Sequence, residues 1–220
     1  MTIMPTASSK DLSVAVLAGG KSSRFGEPKA TAHFGDQTLI DNSVMIGELI
    51  STNIVIVKHP YQQLEQQSYP TFEDIIPDCG PLGGIHTALE NIETKWLAVL
   101  PCDMPFLTPD IYEIIFAHRK GDNPVVAVSE NGMESLVSLW PKSLSAELKK
   151  ALISEEFEIN KILKRFDAVQ VSMTEKLPDY QAEFFTNVNY KSDLENIDKL
   201  SGLLKSNFLK NIENIFEQLS

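Results

Sequence analysis

Three short runs of almost uninterrupted apolar residues, at 13–17, 53–57 and 96–101, constrain this chain more than any other feature. A strand with one wet face alternates apolar and polar side chains, whereas a run such as Leu97-Ala98-Val99-Leu100 needs cover on both faces. Weaker strand signals lie at 124–129, 134–140 and 168–171, and the stretches 38–50, 84–92, 109–119, 143–152 and 158–166 read as helices. Thr108 is a candidate N-cap for the third helix, with Pro109 in its first turn and Asp110 behind it. The alternation predicts an α/β fold, a Rossmann-like three-layer α/β/α sandwich with a mainly parallel sheet. Ligands of such sheets gather beyond the carboxyl ends of the strands, which directs attention to 18–29, to Lys58 onward and to 102–106.

A length of 220 residues, 43% hydrophobic, suits one globular domain or two small ones. The expected division is a main domain over 1–198 and a helical extension over 199–220, whose apolar residues recur three or four apart and are interrupted near Gly202. Thirty acidic residues against nineteen Lys and Arg give a net charge of −11, which disfavours partners such as nucleic acid or an anionic membrane. The apolar runs are too short to cross a bilayer, and the first twelve residues lack the basic-then-apolar pattern of an export signal. Two cysteines, Cys79 and Cys102, cannot build a four-cysteine zinc site or a disulfide framework, and a reducing cytoplasm is the expected location.

Directly after the first apolar run comes LAGGKSSRFGEPKA, residues 17–30. Ala18, Gly19 and Gly20 are small enough for backbone N–H groups to approach an anion, and Lys21, Arg24 and Lys29 follow with only Glu27 against them. A locally basic loop on an acidic chain points to a nucleoside triphosphate. Gly20-Lys21-Ser22 imitates the end of a Walker A motif, but the required first glycine falls on Ala15, inside the expected strand. Gly19, Gly20 and Gly26 do not have the dinucleotide-binding spacing either.

Asp103, at the end of the 96–101 run, is placed to hold a hard cation, and magnesium fits because it needs only one or two protein carboxylates beside water and phosphate. Met104, Pro105 and Phe106 read as shaping the turn. Asp74 precedes the tight segment Gly80-Pro81-Leu82-Gly83-Gly84, which reads either as a base or ribose site or as an ordinary helix entry. The histidines His33, His59, His86 and His118 lack zinc-binding spacing and read as surface or capping residues. Ser22 and Ser23 lack a nucleophile elbow, and Trp96 and Trp140 read as core.

Taken in order, the 17–30 loop, GPLGGI at 80–85, CDMPFL at 102–107 and NVNYKSDL at 187–194 resemble the molybdenum cofactor guanylyltransferase family of nucleotidyltransferases, over about 13–194. The resemblance implies a fold of the nucleotide-diphospho-sugar transferase type. It also implies transfer of GMP from GTP to the phosphate of molybdopterin or its molybdenum-loaded form, with release of diphosphate. It assigns the nucleotide to Leu17, Ala18, Gly19, Gly20, Lys29, Asp74 and Asp103, magnesium to Asp103, and the pterin acceptor to Asn187 and Asn189. Arg24, Lys29 and Asp103 are the expected catalytic residues. Beyond its two substrates, the implied partners are proteins of molybdenum cofactor biosynthesis or molybdoenzymes. Pro28 stands where the family usually has aspartate, Lys58 where it places asparagine, and Glu134-Ser135 where it has His-Pro. Transfer of CMP, transfer to a sugar phosphate, and a nucleotide-binding interaction protein without transfer are the alternatives.

Overall fold

The computed structural model describes residues 10–19, 29–64, 67–190 and 192–194. In chain order the elements are β1 (Leu12–Leu17), the hairpin β2 (His33–Phe34) and β3 (Gln37–Thr38), α1 (Leu39–Ile50), β4 (Ile54–Lys58), β5 (Thr71–Glu73) and α2 (Pro81–Asn91). They continue with β6 (Trp96–Pro101), α3 (Pro109–Ala117), β7 (Val125–Ser129), β8 (Gly132–Pro141), α4 (Ser145–Ile153), α5 (Ile159–Arg165), β9 (Val169–Ser172) and α6 (Met173–Lys176). Seven strands form one sheet in the order β5-β4-β1-β6-β8-β7-β9. The expected three-layer α/β/α sandwich is present.

The unalternating strands behave as their composition requires. β1 and β6 are buried along their whole length, and β1 pairs in parallel with β4 on one side and β6 on the other. Alternate residues of β1 serve opposite faces. Leu12, Val14 and Val16 join a core with Ile40 and Ile46 of α1 and Ile111 and Ile115 of α3. Ala15 and Leu17 join a second core with Leu82, Ile85 and Leu89 of α2, Leu148 of α4 and Ile162 of α5. Burial of a Val, Leu or Ile side chain stabilises the fold by about 1.5–3 kcal/mol, so two cores on one strand fix its place strongly. Trp96 and Trp140 are core residues, as expected.

The sheet is parallel at β4-β1-β6, β5-β4 and β7-β9, and antiparallel where β8 pairs with β6 and with β7. The short β7–β8 turn, with Gly132 at φ 111°, leaves no room for a parallel crossover. β5 and the β2–β3 hairpin carry no run long enough to be read from sequence. α2 begins at Pro81 rather than at 84. Within it a Cβ on Gly83 would lie 2.9 Å from the Ile76 carbonyl oxygen, so the helix can approach that loop only with glycine there. Thr108 does stand at the N-cap of α3, but its hydroxyl makes no capping hydrogen bond. The capping box is instead at α1, where the Thr38 hydroxyl accepts from the Asp41 N–H and the Asp41 carboxylate accepts from the Thr38 N–H.

Gly20, Lys21, Ser22, Ser23, Arg24, Gly26, Glu27 and Pro28, the amino-terminal nine residues, and the 199–220 extension with its break near Gly202 lie outside the described residues. Among the described residues no helix is long and apolar enough to cross a membrane.

Of the histidines, His86 departs furthest from expectation. His86 in α2 is completely buried rather than at the surface, and neither ring nitrogen meets a hydrogen-bond partner among the described residues. Burial holds its pKa below the ordinary histidine value, with Glu90 pulling it up and Lys149 pushing it further down. An unfolded chain therefore takes up this proton first, and the folded state loses stability as pH falls through the ordinary histidine range near about 6.5. Denaturant unfolding at pH 7.5 and 5.5 should show His86→Leu keeping more of its stability at the lower pH than the parent; parallel losses would contradict this origin.

Candidate active site

The carboxyl ends of β4, β1 and β6 lie side by side, and their pairing extends beyond the strands. Ala18 N–H donates to the Val57 carbonyl at 2.9 Å, and Cys102 N–H donates to the Leu17 carbonyl at 3.3 Å. The start of the glycine loop is thereby held between the end of β4 and the segment after β6. Gly19 is exposed at this point, and a Cβ there would sit 3.2 Å from the His59 backbone nitrogen. Glycine lets the two loops pass closely and keeps the backbone accessible.

On the β6 side, Lys29 Nζ donates to Asp103 Oδ2 at 2.9 Å and to Asn189 Oδ1 at 3.2 Å. These three residues, 160 positions apart at the extremes, form one cluster. Each is fixed by a separate local device. Lys29 opens a short 3₁₀ turn, Lys29–Thr31, that leads into the β2–β3 hairpin. Asp103 follows the buried β6, and its carbonyl accepts from Val188 N–H at 2.8 Å. Asn189 is held by Asp193, whose Oδ2 accepts from the Asn189 and Tyr190 N–H groups at 2.7 and 2.8 Å. Beneath them Ala32, Phe34, Leu39, Phe106, Val188 and Leu194 form a small apolar cluster, with Phe34 edge-on to Phe106 at 5.6 Å. Phe106 therefore shapes the turn as expected. Asn187 lies on the same segment and is exposed.

The side chains of Lys29 and Asp103 are only 16% and 26% exposed, so their attraction is screened less than that of a surface pair. In this arrangement the lysine neutralises the aspartate, and a phosphate arriving there does not meet a bare carboxylate. Among the described residues no three His, Cys, Asp or Glu side chains gather as a metal cage. A single strand-end carboxylate is a donor set suited to magnesium, which takes its remaining ligands from water and phosphate. The neighbouring Cys102 thiol is not a nucleophile, because burial, reinforced by Asp103, pushes its pKa up to about 12.

On the other side of β1, Asp74 N–H donates to the Lys58 carbonyl at 3.1 Å, which sets Asp74 beside the end of β4. Its Oδ1 is buried without a hydrogen-bond partner among the described residues, and lies 3.6 Å from where a Cβ on Gly84 would be. Burial raises its pKa to about 6, with His59 pulling the other way. Lys58 is turned from the site: its Nζ donates to Glu73 Oε1 and to the Gln62 carbonyl, each at 3.0 Å. His59 is not the surface residue the sequence suggests, since its side chain is 18% exposed. Its position just after a strand was the available signal; nothing in residue spacing marks its burial.

The structure thus brings Leu17, Ala18, Gly19, Lys29, Asp103 and Asn189 together, with Asp74 one strand further along, whereas Gly20 and Arg24 lie outside the described residues. Glu134 and Ser135 make their contacts elsewhere, Glu134 accepting from Ser129 Oγ at 2.6 Å and Ser135 donating to Asn160.

Residues 14–170 match the family model of the MobA-like NTP transferase domain. A probable molybdenum cofactor guanylyltransferase of Halalkalibacterium halodurans is 30% identical, the alignment covering 81% of this chain and 93% of that protein. A protein of the same description from Carboxydothermus hydrogenoformans is also 30% identical, over 88% of this chain and 98% of its own. Among solved structures, molybdopterin-guanine dinucleotide biosynthesis protein A from Archaeoglobus fulgidus superposes with a TM-score of 0.75 at 23% identity, covering 86% of this chain and 98% of that one. A 2-C-methyl-D-erythritol 4-phosphate cytidylyltransferase from Thermus thermophilus has the same fold, with a TM-score of 0.63 at 12% identity and coverage of 86% and 98%. The fold alone therefore does not choose the base, but the sequence match reaches further: the chain belongs to the MobA-like NTP transferase family and is a nucleotidyltransferase.

Proposed function

We propose that this protein transfers GMP from GTP to the terminal phosphate of molybdopterin or its molybdenum-loaded form, releasing diphosphate. The convergence of Lys29, Asp103 and Asn189 at the ends of β1 and β6 is the observation that carries the reading, together with relatives named for this activity. An oxygen of the acceptor phosphate forms the new bond to the α-phosphorus of GTP. The bond from that phosphorus to the bridging oxygen breaks, and its electron pair leaves with diphosphate. The attacking phosphate is already anionic near neutral pH and needs no general base. The difficulty is instead the approach of two polyanions on a chain of net charge −11. Lys29 supplies a positive charge where they meet, Arg24 from the same loop is assigned to the phosphates, and Asn187 and Asn189 face the acceptor. Leu17, Ala18, Gly19 and Gly20 receive the nucleotide through their backbone, and the Asp74 carboxylate takes its base. Asp103 would hold magnesium, which supplies further neutralisation of the triphosphate when bound. Cys79 and Cys102 are both free thiols, in keeping with a reducing cytoplasm, where this reading sets the protein.

Thermal unfolding with magnesium and each of GTP, CTP, ATP and UTP tests the nucleotide. A ligand at about one hundred times its Kd stabilises by about 2.7 kcal/mol, a shift of about 5–10 °C at this length, and GTP should give it. A shift with CTP alone would reassign the enzyme as a cytidylyltransferase, and none with any nucleotide would favour an interaction protein. In steady-state assays, Asp103→Ala should abolish turnover with an unchanged circular dichroism spectrum. Lys29→Ala should lower kcat by about 10²–10³, the effect of removing one preorganised charge-stabilising group.

The raised pKa of Asp74 gives a signed pH dependence. The folded state holds this proton more tightly than the unfolded chain, so the contribution is present below the ordinary carboxylate range and is lost as pH rises through about 6. Over the same interval the carboxylate becomes able to accept from the base. Raising pH from 5 to 7 should therefore lower the stability of the free protein while strengthening GTP binding. Asp74→Asn should flatten both curves, and unchanged slopes in that variant would remove Asp74 from this role.

A further inference from the structure

Resting on the GTP reading above, we propose that His59 reads the base, its Nε2–H donating to the 6-carbonyl oxygen of a purine whose N1–H and 2-amino group are accepted by Asp74. The tautomer follows from a contact on the other side of the ring. Tyr61 N–H donates to His59 Nδ1 at 3.4 Å, so Nδ1 is the acceptor and the neutral ring carries its proton on Nε2. That nitrogen is buried and has no hydrogen-bond partner among the described residues. The Asp78 carboxylate, at 3.9 Å, is beyond hydrogen-bonding reach. Asp74 Oδ1 is likewise buried and without a partner. An orphaned donor and an orphaned acceptor, set at the ends of the neighbouring strands β4 and β5, do not satisfy one another. Native proteins rarely leave two such groups unmatched unless something else completes them.

Their position indicates what does. His59 follows the last residue of β4 and abuts Gly19. Asp74 follows the last residue of β5 and is tied by its N–H to the Lys58 carbonyl. The pair therefore stands across β1 from Lys29 and Asp103, on the side where the base of a nucleotide would lie if its phosphates meet Lys29. Guanine presents one acceptor, O6, followed by two donors, N1–H and the 2-amino group. Adenine presents a donor and then an acceptor there, and cytosine a donor and then two acceptors, so neither matches a donor beside a carboxylate. Lys58, the residue before His59, is occupied by Glu73 and the Gln62 carbonyl and does not compete for the base.

Titration calorimetry of the full chain with magnesium and GTP, 6-thio-GTP or ITP separates the contributions. In 6-thio-GTP only the acceptor is weakened; in ITP only the 2-amino donor is missing. The parent should bind 6-thio-GTP about 3- to 10-fold more weakly than GTP. His59→Ala should bind GTP about as weakly as the parent binds 6-thio-GTP, with no preference between the two, while the penalty for ITP persists through Asp74. His59→Gln, whose amide N–H can reach the same oxygen, should restore part of the preference, which a purely structural histidine would not do. Variants are compared at matched melting temperatures. An undiminished preference for GTP over 6-thio-GTP in His59→Ala, or no preference in the parent, would overturn the role of His59 while leaving guanylyl transfer standing. Failure of the parent to bind GTP at all would overturn both.

Discussion

The burial of β1 on both faces, between two parallel neighbours, is the constraint from which the rest of this structure follows. Leu12, Val14 and Val16 belong to one core and Ala15 and Leu17 to the other, so the strand cannot slip by one position without turning these side chains to the wrong layer. Fixed in register, β1 delivers Ala18 and Gly19 to a single place, where hydrogen bonds to the Val57 carbonyl and from Cys102 N–H hold the chain between two other strand ends. Chemistry that needs groups from distant parts of the sequence can then be assembled at the carboxyl end of the sheet's central strands. Lys29, Asp103 and Asn189 meet there because each is attached to a rigid element, and the cluster around Phe34 and Phe106 locks those attachments together.

Electrostatics explains why the assembly takes this form. A protein of net charge −11 that must bring two phosphorylated substrates together has to cancel its own field locally. The partly buried Lys29–Asp103 pair meets the part of this that arises at the site itself: the lysine cancels the charge of the aspartate, so the carboxylate stays in place as an oxygen donor without repelling the substrate. On the far side of β1 a different problem is met by different means. There burial pushes the Asp74 carboxyl up to about 6, so the group on that side is a desolvated carboxylate without a lysine partner among the described residues, which is the setting proposed above for the base.

How much of this could be read from the sequence depended on whether a feature was local. β1, β4 and β6 announce themselves because double-sided burial leaves a continuous apolar run, and Asp103 and the glycine loop are visible because they follow such runs. β5 has only three residues, with Thr71 and Glu73 exposed, and gives no comparable signal. The antiparallel setting of β8 depends on a short turn that strand propensity does not encode. The meeting of Lys29 with Asn189 is a long-range event: the resemblance to a family brought Asn187 and Asn189 to attention, while physical patterning alone would not have. The histidines show the limit most plainly. Nothing in the spacing of His59 or His86 distinguishes them from surface residues, because the partial burial of the one and the complete burial of the other are imposed by neighbours brought in from elsewhere in the chain.

The most direct test follows both products in one reaction. The protein would be incubated with magnesium, molybdopterin and GTP labelled at the α-phosphate, and diphosphate and labelled pterin dinucleotide measured together. One diphosphate per dinucleotide, formed only when both substrates are present, is the predicted result. Cleavage of GTP without dinucleotide, or consumption of CTP in its place, would contradict the account.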